Sequence, residues 1–255
     1  MRTRTPHEPP LGTPDRFDRR RLLAGTLAPW VAGATASRAG DRSRSPDEAM
    51  LTVHTFGDSV LDCGRYNDEG LDPGRLLIRN DDRLFPDFVG RDLRARGPAR
   101  LDHRAVDGAT VASLPAQARG LRVCGRSVAL LTIGGNDLLQ GLAADTGQGV
   151  RAFARDLDDF VGRLPVRPVL MASVYDPTFG DDRLNFLGIE PALARVNHRR
   201  VNAAIARIAS RHGGRFVDLH AHFLRGDPSW FTRTIEPSLQ GASEVRRCFL
   251  DALGA

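Results

Sequence analysis

The 255-residue chain contains no lysine: all 36 of its basic residues are arginine. A basic set of one kind looks more like coding bias than adaptation to a ligand. The net charge of +5 still raises the question of nucleic acid. Its distribution argues against one, because acids alternate with arginines, as in Arg91-Asp92 and Arg155-Asp156, where a binding surface needs a clustered basic face. Cysteine is scarce as well. Cys63, Cys124 and Cys248 form an odd set with no Cys-x-x-Cys pair, which indicates neither a disulfide framework nor a cysteine zinc site. No uncharged apolar run reaches about 18 residues, so no stable membrane insertion is expected. Fixed-period repeats are missing, which argues against solenoids and propellers. With 41% hydrophobic and 26% charged residues, an ordinary globular chain is left.

Residues 1–49 stand apart. A Pro-, Arg- and Thr-rich start has no periodicity with which to build a core. Arg19-Arg20-Arg21-Leu22-Leu23 then leads an uncharged stretch ending in Ala34-Thr35-Ala36. That order resembles a twin-arginine export signal followed by a linker, which would put the mature protein in the periplasm or outside the cell. A second reading starts translation at Met50, directly before the first predicted strand, and leaves a cytoplasmic protein. On either reading the functional domain is 50–255.

Within it, strands and helices alternate. Leu51–Phe56, Ser127–Ile133, Val169–Val174 and Arg215–Leu219 read as strands, with Leu101–Val106 a weaker fifth. Val150, Phe153, Leu157, Phe160, Val161 and Leu164 recur at helical spacing, as do Val201, Ala204, Ile205 and Ile208. Val245, Cys248, Phe249 and Ala252 mark a last helix. Such alternation predicts an α/β fold with a parallel sheet and helices on both faces. Ligands in such sheets sit beyond the carboxyl ends of the strands.

Three of those strand ends are small, polar and glycine-bearing: Gly57-Asp58-Ser59, Asp107-Gly108-Ala109-Thr110 and Gly134-Gly135-Asn136-Asp137. A serine after a Gly-Asp turn is expected to be exposed and to stand at a helix N-terminus, where the dipole favours a developing oxyanion. Gly108 offers a backbone N–H that no Cβ obstructs. Asn136 offers a side-chain amide, and with the Ser59 N–H the three make an oxyanion hole.

Phe56-Gly57-Asp58-Ser59-Val60, Gly108 and Gly134-Gly135-Asn136-Asp137 together resemble three of the four motifs of the SGNH (GDSL-type) hydrolase family. The resemblance covers about residues 51–253. It implies a flavodoxin-like three-layer α/β/α sandwich on a five-stranded parallel sheet. It also implies hydrolysis of acyl or acetyl esters, on small-molecule, glycan or lipid substrates, with no metal and no cofactor. Ser59 is then the nucleophile, forming an acyl-enzyme, and Gly108 and Asn136 complete the oxyanion hole.

The fourth motif departs from the family. Where Asp-x-x-His is expected before the last helix, this chain has Arg233-Thr234-Ile235-Glu236-Pro237. An imidazole near pKa 6.5 accepts a serine proton at neutral pH better than a carboxylate near 4.3, and an adjacent arginine would weaken the carboxylate further. Three readings follow. Glu236 is itself the base, made workable by burial; His220 or His222, after the fifth strand, reaches Ser59; or the domain is a non-catalytic ester- or glycan-binding module.

Plainer roles exist for each residue. Ser59 would serve as an ordinary helix cap, and Arg233 and Glu236 as a structural salt bridge. His220 and His222 alternate as metal ligands do, but no partner carboxylate is identified for them. His54 reads as a core or edge residue of its strand. Trp230 either lines a substrate groove or packs the last helix. A phosphate- or nucleotide-binding flavodoxin-like protein is the remaining class, and the glycine fingerprints it needs are missing.

Overall fold

The structure, a computed structural model, describes residues 50–254. The proposed export signal and linker lie outside the described residues. Five strands form one parallel sheet: β1 (Leu51–Gly57), β2 (Ala99–His103), β3 (Arg126–Thr132), β4 (Val169–Ala172) and β5 (Arg215–Val217). Their spatial order is β2-β1-β3-β4-β5, the flavodoxin-like arrangement. The five predicted strands are all present. β1 gains one residue and the others are trimmed or shifted by a few, most at β2, which starts at Ala99 and ends before the exposed Val106.

The continuous apolar run in β3 reflects burial on both sides. Val128 and Leu130 point into one core, with Leu76 and Leu77 of α1 (Pro73–Ile78) and Val245, Phe249 and Leu250 of the last helix. Ala129 and Leu131 point into the other, formed with α4 (Gln148–Arg163) and α5 (Pro191–Arg211). Phe153, Leu157 and Phe160 of α4 meet Val201, Ile205 and Ile208 of α5 there, the stripes read from helical spacing. The result is a three-layer α/β/α sandwich. Short helices α2 (Leu114–Gln117), α3 (Gly135–Leu139) and α6 (Leu219–Phe223) sit between the larger elements. One feature has no sequence signal. A two-residue antiparallel pair, β6 (Phe231–Thr232) and β7 (Glu236–Pro237), folds the fourth motif into a hairpin before α7 (Leu239–Leu253).

Candidate active site

The carboxyl end of β1 is fixed by Gly57. Its φ is +121°, and a Cβ there would lie 1.7 Å from the Thr132 carbonyl oxygen of neighbouring β3. Only glycine lets the two strand ends approach so closely. The chain then turns at Asp58, whose carbonyl accepts from the Leu61 and Asp62 N–H groups. Ser59 sits in this turn. It is 8% exposed, and among the described residues no α-helix begins between it and Pro73, so the exposed serine at a helix N-terminus expected from the sequence is corrected on both counts. A hydrogen-bonded turn holds it instead of a helix cap.

Asp58 is buried beneath Ser59. The Thr132 hydroxyl donates to its Oδ1 at 2.8 Å and the Val60 N–H at 3.2 Å. Burial outweighs both bonds and pushes its pKa up to about 7, with the charges of Asp137 and Glu236 adding to the rise. Sequence reasoning quoted Asp58 only as part of a turn; a carboxylate buried at a strand tip has no periodic signature.

The other two tips converge here through Asp137 and Asn136. The Asn136 amide donates to the Ala109 carbonyl at 3.0 Å, tying α3 to the Gly108 turn. Asp137 accepts the Val111 N–H at 3.2 Å through either oxygen, and burial raises its pKa to about 6. Gly108 is exposed, with φ +76° and open space where a Cβ would stand. Among the described residues, neither the Ser59 nor the Gly108 N–H donates to a protein acceptor. One donor of Asn136 is occupied by Ala109, which orients the amide and leaves its second hydrogen available.

Glu236 comes to Ser59 from the hairpin. Its half-buried carboxyl is raised in pKa, chiefly by desolvation, while the Ser59 hydroxyl lowers it, Asp107 raises it and Arg233 lowers it. Glu236 Oε2 is buried with no hydrogen-bond partner. The segment is held from behind by Tyr175, whose hydroxyl donates to the Ile235 carbonyl at 2.7 Å and whose ring stacks on Phe223. No ion pair joins Arg233 to Glu236. Arg233 lies over the Tyr66 ring, and Tyr66 donates to Asp107 at 2.6 Å.

The two alternative histidines separate. His220 shares a cavity with Ser59, its ring 4.7 Å from that of His198 on α5, and burial lowers the pKa of both imidazoles. His198 was missed from sequence because it sits within a helix among arginines. His222 faces away from this cavity, bonded through Nε2 to Glu244 at 2.9 Å and stacked on Trp230. Trp230 packs on His222 and Phe223 and does not line the cavity. His54 is buried in β1, paired across the sheet with Asp102 at 2.8 Å. Among the described residues no group of three or more His, Cys, Asp or Glu side chains is arranged around a metal site.

The arrangement brings the Ser59 hydroxyl and the desolvated Glu236 carboxyl together at the carboxyl edge of the sheet, with Asn136 lining the same cavity as Ser59. Residues 55–242 match the model of the GDSL-like lipase/acylhydrolase family. No curated protein matches the chain significantly. Among solved structures it is similar to Axe2, an acetylxylan esterase from Geobacillus stearothermophilus, at 17% identity and a TM-score of 0.57, over 81% of this chain and 94% of that one. It is also similar to an α/β hydrolase from the metagenome of Lake Arreo, Spain, at 22% identity and a TM-score of 0.55, over 81% and 95% of the two chains. A putative GDSL-like lipase from Parabacteroides merdae aligns at 17% identity and a TM-score of 0.57, over 82% and 96%. At such identities the solved structures speak for the fold alone, whereas the family model spans most of the sequence and most of the sheet. The chain belongs to the GDSL-like lipase/acylhydrolase family, a family of ester hydrolases.

Proposed function

We propose that this protein is a serine esterase in which Ser59 is the nucleophile and Glu236 the general base. The Glu236 carboxylate takes the hydroxyl proton as Ser59 Oγ attacks the ester carbonyl carbon. The oxyanion that forms is held by the N–H groups of Ser59 and Gly108 and by the Asn136 amide. Collapse expels the alcohol, which recovers the proton from Glu236, and leaves Ser59 acylated. Water then attacks the acyl-enzyme with the same carboxylate as base, releasing the carboxylic acid and restoring Ser59.

The observation that carries this reading is the unpartnered, buried Oε2 of Glu236 beside a serine hydroxyl. A carboxylate deprived of water and of hydrogen-bond donors is a stronger base than one in solution, because desolvation disfavours its charged form. That offsets part of what the missing imidazole would contribute. The likeness to an acetylxylan esterase makes acetylated glycans one class to screen, beside simple acyl esters.

A second reading is favoured by one observation: His220 lines the same cavity as Ser59, with its Nδ1 buried and unpartnered. In that case the imidazole is the base and Glu236 only tunes the site. Labelling the full chain with a serine-directed fluorophosphonate, followed by peptide mapping, tests both. Stoichiometric modification at Ser59 that is lost in Glu236→Gln but kept in His220→Ala supports the first. The reverse pattern supports the second. No label on folded protein points to a binding module that does not cleave esters.

A further inference from the structure

The cavity at Ser59 has a volume of about 220 Å³ and a definite side. Ser59, Asn136 and Ile235 line it, yet neither Glu236 nor Gly108 contributes to its lining. In ester cleavage by the mechanism proposed above, the proton held by Glu236 must reach the departing oxygen. The alcohol therefore leaves on the Glu236 side, and the carbonyl oxygen points at the N–H donors. The third substituent of the carbonyl carbon, the acyl chain, is left facing the cavity.

Its walls suit a hydrocarbon. Leu138, Ala143, Val174, Leu187 and Ala194 line it and all belong to, or pack on, the apolar core between the sheet and α4 and α5. At the mouth stand Leu139 and Phe186, 41% and 42% exposed, two of the few large apolar side chains on the surface. The carboxylates and Arg195 along the remaining wall are hydrogen-bonded. Arg195 bonds Asp182 at 2.7 Å through Nε and lies 3.7 Å from Asp176. His198 Nε2 is 2.8 Å from the Val174 carbonyl, an acceptor only, so that nitrogen carries the hydrogen. Burial keeps His198 and His220 neutral near pH 7. Arg199 also lines the cavity without a hydrogen-bond or ion-pair partner among the described residues, but it is exposed and keeps its charge in water.

We propose that this cavity is the acyl-chain subsite and that the enzyme prefers esters of medium-chain carboxylic acids, about six to eight carbons long, over acetyl esters. The length follows from volume: a cavity of about 150 Å³ accommodates benzene, so 220 Å³ accommodates roughly eight carbons. An acetyl group would leave most of the space empty. This inference rests on the esterase reading of Ser59, and Ala194 on α5 is its specificity-determining position.

The test varies the acyl chain from acetyl to dodecanoyl on a constant p-nitrophenol leaving group, using the full chain. A second series varies the alcohol on a constant acetyl group. The acyl series is expected to rise in kcat/KM by about three- to fourfold per methylene until six to eight carbons, and then to fall. The alcohol series is expected to stay nearly flat. Ala194→Phe, which fills the cavity, is expected to lower the octanoyl-to-acetyl ratio of kcat/KM at least tenfold. A steep alcohol series with a flat acyl series overturns the proposal and assigns the cavity to the leaving group. Acetyl preference with Ser59 labelled by fluorophosphonate overturns the chain-length inference alone. No turnover of any ester and no label on Ser59 overturns both this inference and the esterase reading beneath it.

Discussion

The Arg233 guanidinium lies 4.9 Å above the Tyr66 ring and forms no ion pair with Glu236 three residues later. Arg233 and Thr234 both have positive φ, +47° and +74°, so the chain between β6 and β7 turns sharply enough to direct the two side chains apart. Arg233 still lowers the Glu236 pKa through its charge, but desolvation is the larger influence and the net shift is upward. The esterase reading therefore predicts a kcat/KM that rises with pH as Glu236 ionises, at a pH above the ordinary carboxylate range, and then levels. Arg233→Ala removes the cation and moves that rising limb to higher pH. Glu236→Gln lowers kcat by about 10²- to 10⁴-fold, the usual contribution of a general base. A pH–rate profile of each variant on one soluble ester checks the set. An unmoved limb in Arg233→Ala would show that Glu236 is not the titrating base.

Asn136 offers an independent test of the proposed oxyanion donors. Its amide is fixed by the Ala109 carbonyl, so it is preorganised rather than recruited by substrate. Asn136→Ala is expected to lower kcat by about 10²- to 10³-fold with KM little changed, because the donor matters only once negative charge develops on the carbonyl oxygen. Steady-state kinetics on the ester that turns over fastest reads this directly. A loss confined to KM would make Asn136 a substrate-binding residue instead.

Tyr175 tests how the base is held. Its hydroxyl is the hydrogen-bond partner of the Ile235 carbonyl, and its ring is clamped by Phe223 and Phe231. Tyr175→Phe keeps the ring and leaves the carbonyl unpaired, at a cost of about 1–3 kcal/mol of stability. Because Ile235 precedes Glu236, the variant is expected to lose kcat several-fold while KM and the pH of the rising limb stay in place. On the esterase reading Tyr175 is thus a positioning residue. Equal kcat in a variant with a lowered Tm would make it purely structural.

Legibility in the sequence differs from element to element. β3 and α4 were legible because each signals its burial through period: a continuous apolar run for a strand covered on both faces, and a helical stripe for a helix covered on one. The strand-tip turns that carry Ser59, Gly108 and Asn136 were legible because strand-end turns favour small, polar and glycine residues. What escaped was tertiary. The β6–β7 hairpin is too short to show alternation, and the separation of Arg233 from Glu236 depends on a ring supplied by Tyr66, far away in sequence. The division between His220 and His222 was equally hidden, since two residues of one short helix point to Ser59's cavity and to Glu244 respectively.

Asp58 carries the last prediction, on stability rather than activity. Its carboxyl is buried at 3% exposure, and its pKa in the folded protein is raised to about 7, first by that burial. In an unfolded chain an aspartate titrates near 3.9. Between about pH 4 and pH 7 the folded state therefore holds a proton that the unfolded state has released, and stability falls as pH rises through this window. The contribution is complete below about pH 4 and lost above about pH 7. Asp58→Asn keeps an oxygen to accept from Thr132 and Val60 but has no proton to lose. The Tm of the variant minus that of the wild type should then increase from pH 4 to pH 7 and level beyond. Other groups titrate in both proteins, including Asp137, so the difference isolates position 58 apart from its coupling to those neighbours. Thermal unfolding followed by circular dichroism across pH 4–8 measures it. A difference that stays constant would mean that Asp58 is already ionised in the folded protein at pH 4, and that its hydrogen bonds to Thr132 and Val60 outweigh its burial.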